Sequence, residues 1–330
     1  MERRNMLNRA YPFCMFFAGV ITTLIIMFFV RNSPDGDGTQ LRDTTTPYTF
    51  IAPLLACDVG AVDESSSLTE LKSTFATITN AALTDHDAED VSVYFRQLYT
   101  GEWTAVNMET NYSPASLMKV PVLMAYLKQA ETATDLLTQT ITVTEDPAPN
   151  TEQDIAPSNS VEVGETYTIE ALLQLIAAQS DNRALNVLMQ YVDIGILDEI
   201  LDDLGVPIPN LQENYRISPR LYSRFFRILY NATYLNNAMS DKALQILAGA
   251  DYADGLKAGV PQETAVAHKF GEAAATLTDG STGHELHDCG IVYTDEPYTI
   301  CIMTKGKNVD DLAALIADLN RSAYTFSTRP

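Results

Sequence analysis

The strand-like stretches of this chain lie near its two ends, and the patterning between them is helical. Val91 to Leu98 alternates, with Val91, Val93 and Phe95 opposite Ser92, Tyr94 and Arg96. Gly101 supplies a turn, and Trp103 to Asn107 reads as the partner strand. Far downstream, Ala265 to Phe270 is short and mostly apolar. Gly290 to Tyr293 and Tyr298 to Met303 flank the turn Thr294-Asp295-Glu296-Pro297 and read as a hairpin. Between these ends the apolar residues recur at helical spacing: Val120, Leu123, Met124 and Leu127, then Ile169, Leu172, Leu173 and Ile176. Leu185 and Leu188 mark another helix, and Ile196 to Leu204 a further one, set off by Gly195 and stopped by Gly205. Two more follow Pro219 and Asp241. A helix over Leu68 to Leu83 precedes the strands, and one carrying Val309, Leu312, Leu315, Ile316 and Leu319 closes the chain. The expected fold class is α/β (α+β): an antiparallel sheet assembled from both chain ends, with a helical subdomain inserted. No internal repeat is visible.

Tyr11 to Val30 is a run of 20 uncharged, mainly apolar residues, long enough to cross a bilayer as a helix. Arg3, Arg4 and Arg9 precede it, which places the N-terminus in the cytoplasm. The run ends Met27-Phe28-Phe29-Val30-Arg31 rather than in small residues, so it reads as an uncleaved anchor and not a signal peptide. Residues 1–10 are then a cytoplasmic tail, 11–30 a transmembrane anchor, 31–48 a turn-rich linker, and 49–330 one extracytoplasmic domain. The expected location is the cell membrane, single-pass, with a monomeric ectodomain. Acidic residues outnumber basic ones 43 to 21, a formal charge of −22, which repels nucleic acid and anionic lipid and favours solubility.

Three polar clusters stand out. Ser116-Leu117-Met118-Lys119 places a hydroxyl and an amine three residues apart, on one helix face. A serine becomes nucleophilic when a neighbouring base takes its proton, and a lysine kept neutral by its surroundings can do so. Ser180-Asp181-Asn182 follows, with Asp181 placed to cap the helix it opens. His268-Lys269-Phe270-Gly271 comes later still.

In this order the clusters resemble the Ser-x-x-Lys, Ser-Asp-Asn and Lys-Thr-Gly motifs of the class A β-lactamase-like, penicillin-recognising serine hydrolases. The resemblance covers roughly Leu68 to Leu319. Ile217-Ser218-Pro219 is similar to that family's Thr-Pro lead-in to a helix, and Asp288 to Tyr293 to the strand after Lys-Thr-Gly. The resemblance implies an acyl-enzyme on Ser116, Lys119 as its base, and Ser180 as a proton relay to the leaving nitrogen. It further implies that Asn182 holds a substrate amide, that Lys269 supplies positive charge beside Phe270 and Gly271, and that the backbone N–H groups of Ser116 and Glu272 form the oxyanion hole. The substrate would be a small molecule or a peptidoglycan peptide, with no cofactor and no metal.

Two departures shape the functional expectation. Phe270 stands where the family has a hydroxyl residue, and no Glu-x-x-Leu-Asn loop precedes Pro219. Asp202, Asp203 and Glu213 are the nearest carboxylates, the first two on an exposed helix face. Acylation is therefore expected and efficient β-lactam hydrolysis is not. The alternative is a catalytically weak or inactive wall-binding domain. His284-Glu285-Leu286-His287-Asp288-Cys289 carries metal-ligand types, but in an extended segment its two histidines face opposite ways, so it reads as a loop and strand start. Counting back from the turn at 294–297 does not set Cys289 opposite Cys301. Pairing of either with Cys57, or reduced thiols, remains open, and Cys14 falls in the apolar run.

Overall fold

The computed structural model describes residues 42–329 apart from 44, 46, 56–62, 86, 148–153 and 208–214. The expected anchor at 11–30, most of the linker, Cys14, Cys57 and Glu213 lie outside the described residues. Among the described residues no helix is long and apolar enough to cross a membrane.

The first helix, α1 (Thr69–Thr84), buries Leu71, Phe75 and Ala82 along one side. It leads into β1 (Asp90–Gln97) and β2 (Trp103–Val106), joined through Gly101 at φ 76°. A 3-10 turn over Ala115–Met118 runs directly into α2 (Lys119–Ala130). Pro121 lies in the first turn of α2, where the N–H it lacks has no intrahelical acceptor, so it is tolerated without a kink. From Val120 to Leu127 every residue of α2 is buried, which makes it the central rod of the helical half.

A short antiparallel pair, β3 (Thr140–Thr142) and β4 (Thr166–Thr168), precedes α3 (Ile169–Ala178). Then come α4 (Asn182–Met189), α5 (Ile194–Asp203), α6 (Pro219–Asn231) and α7 (Asn237–Ala248). Their starts follow capping chemistry. Thr168, Asp181, Asp193, Ser218 and Asn236 each accept a backbone N–H of the helix they open. Gly195, expected to break the chain before α5, lies inside its first turn, because the Asp193 carboxylate caps the helix two residues earlier.

The remaining strands are β5 (Val266–Thr276), β6 (Thr282–Val292) and β7 (Tyr298–Gly306), followed by α8 (Val309–Ser327). The sheet order is β2-β1-β7-β6-β5, antiparallel throughout, so the two chain ends do meet in one sheet. Alternation along the strands serves two cores. Val93, Phe95, Ile300 and Ile302 face α1 and α8, while Cys289, Ile291, Cys301 and Met303 face the helical half. Ser92, Tyr94 and Arg96 are buried too, at 0%, 6% and 5% exposure, because the second face of β1 is also covered. Ser92 Oγ lies 2.9 Å from the Tyr112 hydroxyl.

β5 and β6 are longer than their apolar patterns announce. Ala273 to Thr276 and Thr282 to Glu285 have no two-residue apolar period, yet they pair in register. The run from His284 to Cys289 therefore lies within a strand rather than at its start, and its two histidines do point to opposite faces. Cys289 and Cys301 sit directly across β6 and β7, 4.0 Å apart at Cα, and form a disulfide. The turn count misplaces them because the loop holds Tyr293 as well. The Tyr293 N–H turns to Ala265 O, so pairing starts at Val292 with Tyr298 and the register slips by one.

Candidate active site

Ser116 lies in the 3-10 turn and Lys119 opens α2, so the two occupy adjoining positions on one face. Lys119 Nζ is 2.9 Å from Ser116 Oγ. It also donates to Ser180 O at 2.5 Å and Asn182 Oδ1 at 2.7 Å, and lies 3.1 Å from Ser180 Oγ. The first two motifs thus converge on one amine. Four oxygens surround a group with three N–H bonds at most. Once the amine is neutral, its lone pair can face the hydroxyl that needs a proton acceptor. Lys119 is 1% exposed, and burial pushes its pKa down to about 7, with the charge of Asp181 opposing.

The backbone around this point is held in sparsely populated conformations. Ala115 and Ser180 have φ of 46° and 60°, left-handed values for residues with a Cβ. Such conformations cost about 1–3 kcal/mol each and persist where their surroundings fix them. Ser180 turns sharply between α3 and α4, so that its carbonyl and its hydroxyl both reach Lys119. Asp181 faces the other way. Its carboxylate accepts the Arg183 and Val161 N–H groups and the Ser160 hydroxyl.

β5 forms the opposite wall. It is an edge strand, so one row of its backbone groups faces away from β6. Gly271 lies against the Ser116 turn, where a Cβ would meet Pro114 O at 2.8 Å and Leu117 Cγ at 3.0 Å. Only glycine lets the strand approach that closely. Lys269 is 1% exposed, donates to Phe270 O at 2.9 Å, and places Nζ 4.2 Å from the Phe270 ring centroid. Burial, then the charge of Lys119, holds its amine well below the usual range, with Asp288 opposing. The Phe270 ring is itself buried, 4.3 Å from the Tyr252 ring. Glu272 accepts the Ile155 N–H at 3.1 Å, and its carboxyl is raised by burial first and further by Asp154.

Several supporting residues were not singled out by motif. The Tyr222 hydroxyl donates to Leu117 O at 2.8 Å and fixes the turn that carries Ser116. Tyr112 and Ile217 exchange backbone hydrogen bonds, tying the approach to Ser116 to the lead-in of α6. Below them Glu285 accepts the Ser113 N–H at 2.7 Å and pairs with Arg216 at 2.7 Å. His287 Nε2 is 2.9 Å from Ser113 O. The charged run from His284 to Asp288 held the available signal, since polar residues in the middle of a strand need partners. Among the described residues no carboxylate hydrogen-bonds Ser116 or Lys119. Asp202 and Asp203 lie exposed on α5.

Comparison with known proteins bears on this arrangement. The model of the Beta-lactamase2 family, described as the beta-lactamase enzyme family, matches residues 73–326. Solved structures share the backbone. PBP-A is 21% identical with a TM-score of 0.62, over 79% of this chain and 96% of its own. A beta-lactamase from Chitinophaga pinensis is 21% identical with a TM-score of 0.66, over 77% and 100%. The TLA-1 extended spectrum beta-lactamase is 18% identical with a TM-score of 0.66, over 79% and 99%. No curated protein matches the chain in sequence. The family match spans most of the domain that carries the converging serines and lysines, and the chain is a member of the beta-lactamase enzyme family of serine hydrolases.

Proposed function

We propose that this chain is a membrane-anchored, extracytoplasmic serine hydrolase that acylates Ser116 and deacylates slowly. The carrying observation is the Lys119 amine, buried and 2.9 Å from Ser116 Oγ. In the acylation step Ser116 Oγ forms a bond to the substrate carbonyl carbon while its proton passes to neutral Lys119. Collapse of the tetrahedral adduct breaks the carbon–nitrogen bond, and Ser180 Oγ hands its proton to the leaving nitrogen and regains one from Lys119. The amine is then neutral again. Backbone N–H groups of Ser116 and Glu272 would receive the oxyanion. Amides of wall peptides and β-lactams fit this chemistry. Slow deacylation rests on the missing Glu-x-x-Leu-Asn sequence before Pro219. Anchoring rests on the 20-residue uncharged run at 11–30 and its preceding arginines.

The test is labelling of the full-length protein with a fluorescent penicillin, followed by intact-mass measurement. One adduct that persists over many minutes is expected, and Ser116→Ala should remove it. Equal labelling of that variant would take Ser116 out of the reaction. A second reading, a wall-binding domain without turnover, draws on Phe270, which has no hydroxyl to offer a substrate carboxylate. Binding to purified peptidoglycan without any covalent adduct would favour it.

A further inference from the structure

The geometry points to a divalent-metal site of the zinc class, formed by Asp154, Glu272 and His284 at the outer edge of β5. His284 Nδ1 stands 3.2 Å from Asp154 Oδ2 and 3.4 Å from Glu272 Oε1. One ligand atom from each of the three residues lies within 4.8 Å of the others. Tetrahedral zinc with bonds of about 2.0–2.1 Å separates its ligand atoms by about 3.3 Å, the edge of the tetrahedron. Both measured edges agree with that spacing. The donor set is one imidazole nitrogen and two carboxylate oxygens. It suits zinc better than calcium, which takes about six to eight oxygens, and leaves a fourth position for water.

The ligand atoms are not spent elsewhere. His284 Nδ1 is shielded from solvent and has no hydrogen-bond partner, although it points at two carboxylates. The Glu272 side chain is 7% exposed, so its carboxylate has little water to offset its charge. The Ile155 N–H donates to Oε2 and leaves Oε1 toward His284, the kind of outer contact that orients a metal ligand. His287, the other histidine of this run, faces the other side of β6. The partners come instead from a neighbouring strand and from a loop more than a hundred residues upstream.

A cation here would have a structural consequence at the cleft. Asp154 begins a segment whose Ser160 and Val161 bond to Asp181, beside Ser180. Its other end meets Glu272, the residue after Gly271 on the strand that walls the cleft. Metal binding would clamp this segment between the Ser-Asp-Asn turn and β5, and so set the width of the opening. A metal at this site is independent of whether Ser116 reacts.

The test uses full-length protein in detergent, stripped with EDTA and titrated with Zn2+ against a chromophoric chelator. One ion per chain is expected, and Co2+ should give the intense visible bands of a tetrahedral site. Glu272→Gln and His284→Asn should each weaken binding at least about tenfold while circular dichroism stays unchanged. X-ray absorption on the zinc-loaded wild type supplies a readout that needs no variant, and nitrogen and oxygen ligation is expected. Absence of stoichiometric binding, affinity unchanged in both variants, or sulfur ligation would each overturn the assignment.

Discussion

The proposed acylation of Ser116 takes its pH dependence from the burial of Lys119. An ordinary lysine titrates near 10.5, so at pH 7 only about one molecule in three thousand carries a neutral amine. In this site the amine is pushed down to about 7, and half of the molecules are competent at neutral pH. Burial thus raises the population of usable base by about three orders of magnitude. The second-order rate of fluorescent-penicillin labelling should climb about tenfold per pH unit below 7, level off above it, and differ about a hundredfold between pH 5 and 9. Lys119→Arg keeps the charge and most of the volume but cannot accept a proton. It should cost about 10²–10⁴ in rate. Stopped-flow labelling across pH 5–9, checked by intact mass, measures both. The same shift has a thermodynamic sign. Between about pH 7 and 10.5 the unfolded chain binds more protons at this lysine than the native one, so its contribution to stability rises with pH across that window. A flat rate profile, a midpoint above about 9, or a Lys119→Arg variant that labels like wild type would refute the argument.

Gly271→Ala should destabilise the domain by about 1–3 kcal/mol in urea denaturation and slow labelling, because the added methyl meets Pro114 O, a backbone atom that cannot step aside. No change in either measurement would mean that β5 and the nucleophile turn are not in contact. Phe270→Thr removes a ring packed on Tyr252, which should cost about 3 kcal/mol or more, yet it should raise the labelling rate by restoring a donor for the substrate carboxylate. A slower rate in the folded variant would remove that role from the hydroxyl. Burial pushes His287 down to about 4, below its ordinary 6.5, so the unfolded chain takes up the proton first as pH falls. Stability should drop across pH 6.5 to 4 by about 3 kcal/mol, and His287→Gln should flatten that part of the curve. Replacing Cys289 and Cys301 together by alanine should cost about 3 kcal/mol in denaturant melts, from the entropy of a 12-residue loop.

The residues that meet at Lys119 were legible in sequence because each motif is local. Ser116 and Lys119 are one helical turn apart, and Asp181 announces its helix by capping it. The edges of the sheet were less legible. The run from Ala273 to Thr276 is alanine-rich, and its strand is held by pairing with β6 rather than by a buried face of its own. The Cys289 register depended on one residue, Tyr293, whose N–H leaves the hairpin for Ala265. Contacts such as Glu285 with Ser113, or His284 with Asp154, join residues that no local window contains. Motif spacing carries the side chains that converge on Lys119. It did not find the buried charges that hold the turn in front of them.

The pairing of β1 with β7 dictates when the molecule can become competent. Val93 lies beside Ile302, so this strand waits for about two hundred further residues before it acquires that neighbour. Non-local closure of this kind is slow and leaves a long interval with unsatisfied edges. A polypeptide halted before Gly306 would own Ser116, Lys119 and Ser180 yet lack the strand that holds β6, and through it β5, in place. Premature products would therefore be chemically silent, and completion of the C-terminal hairpin would act as the timer for reactivity.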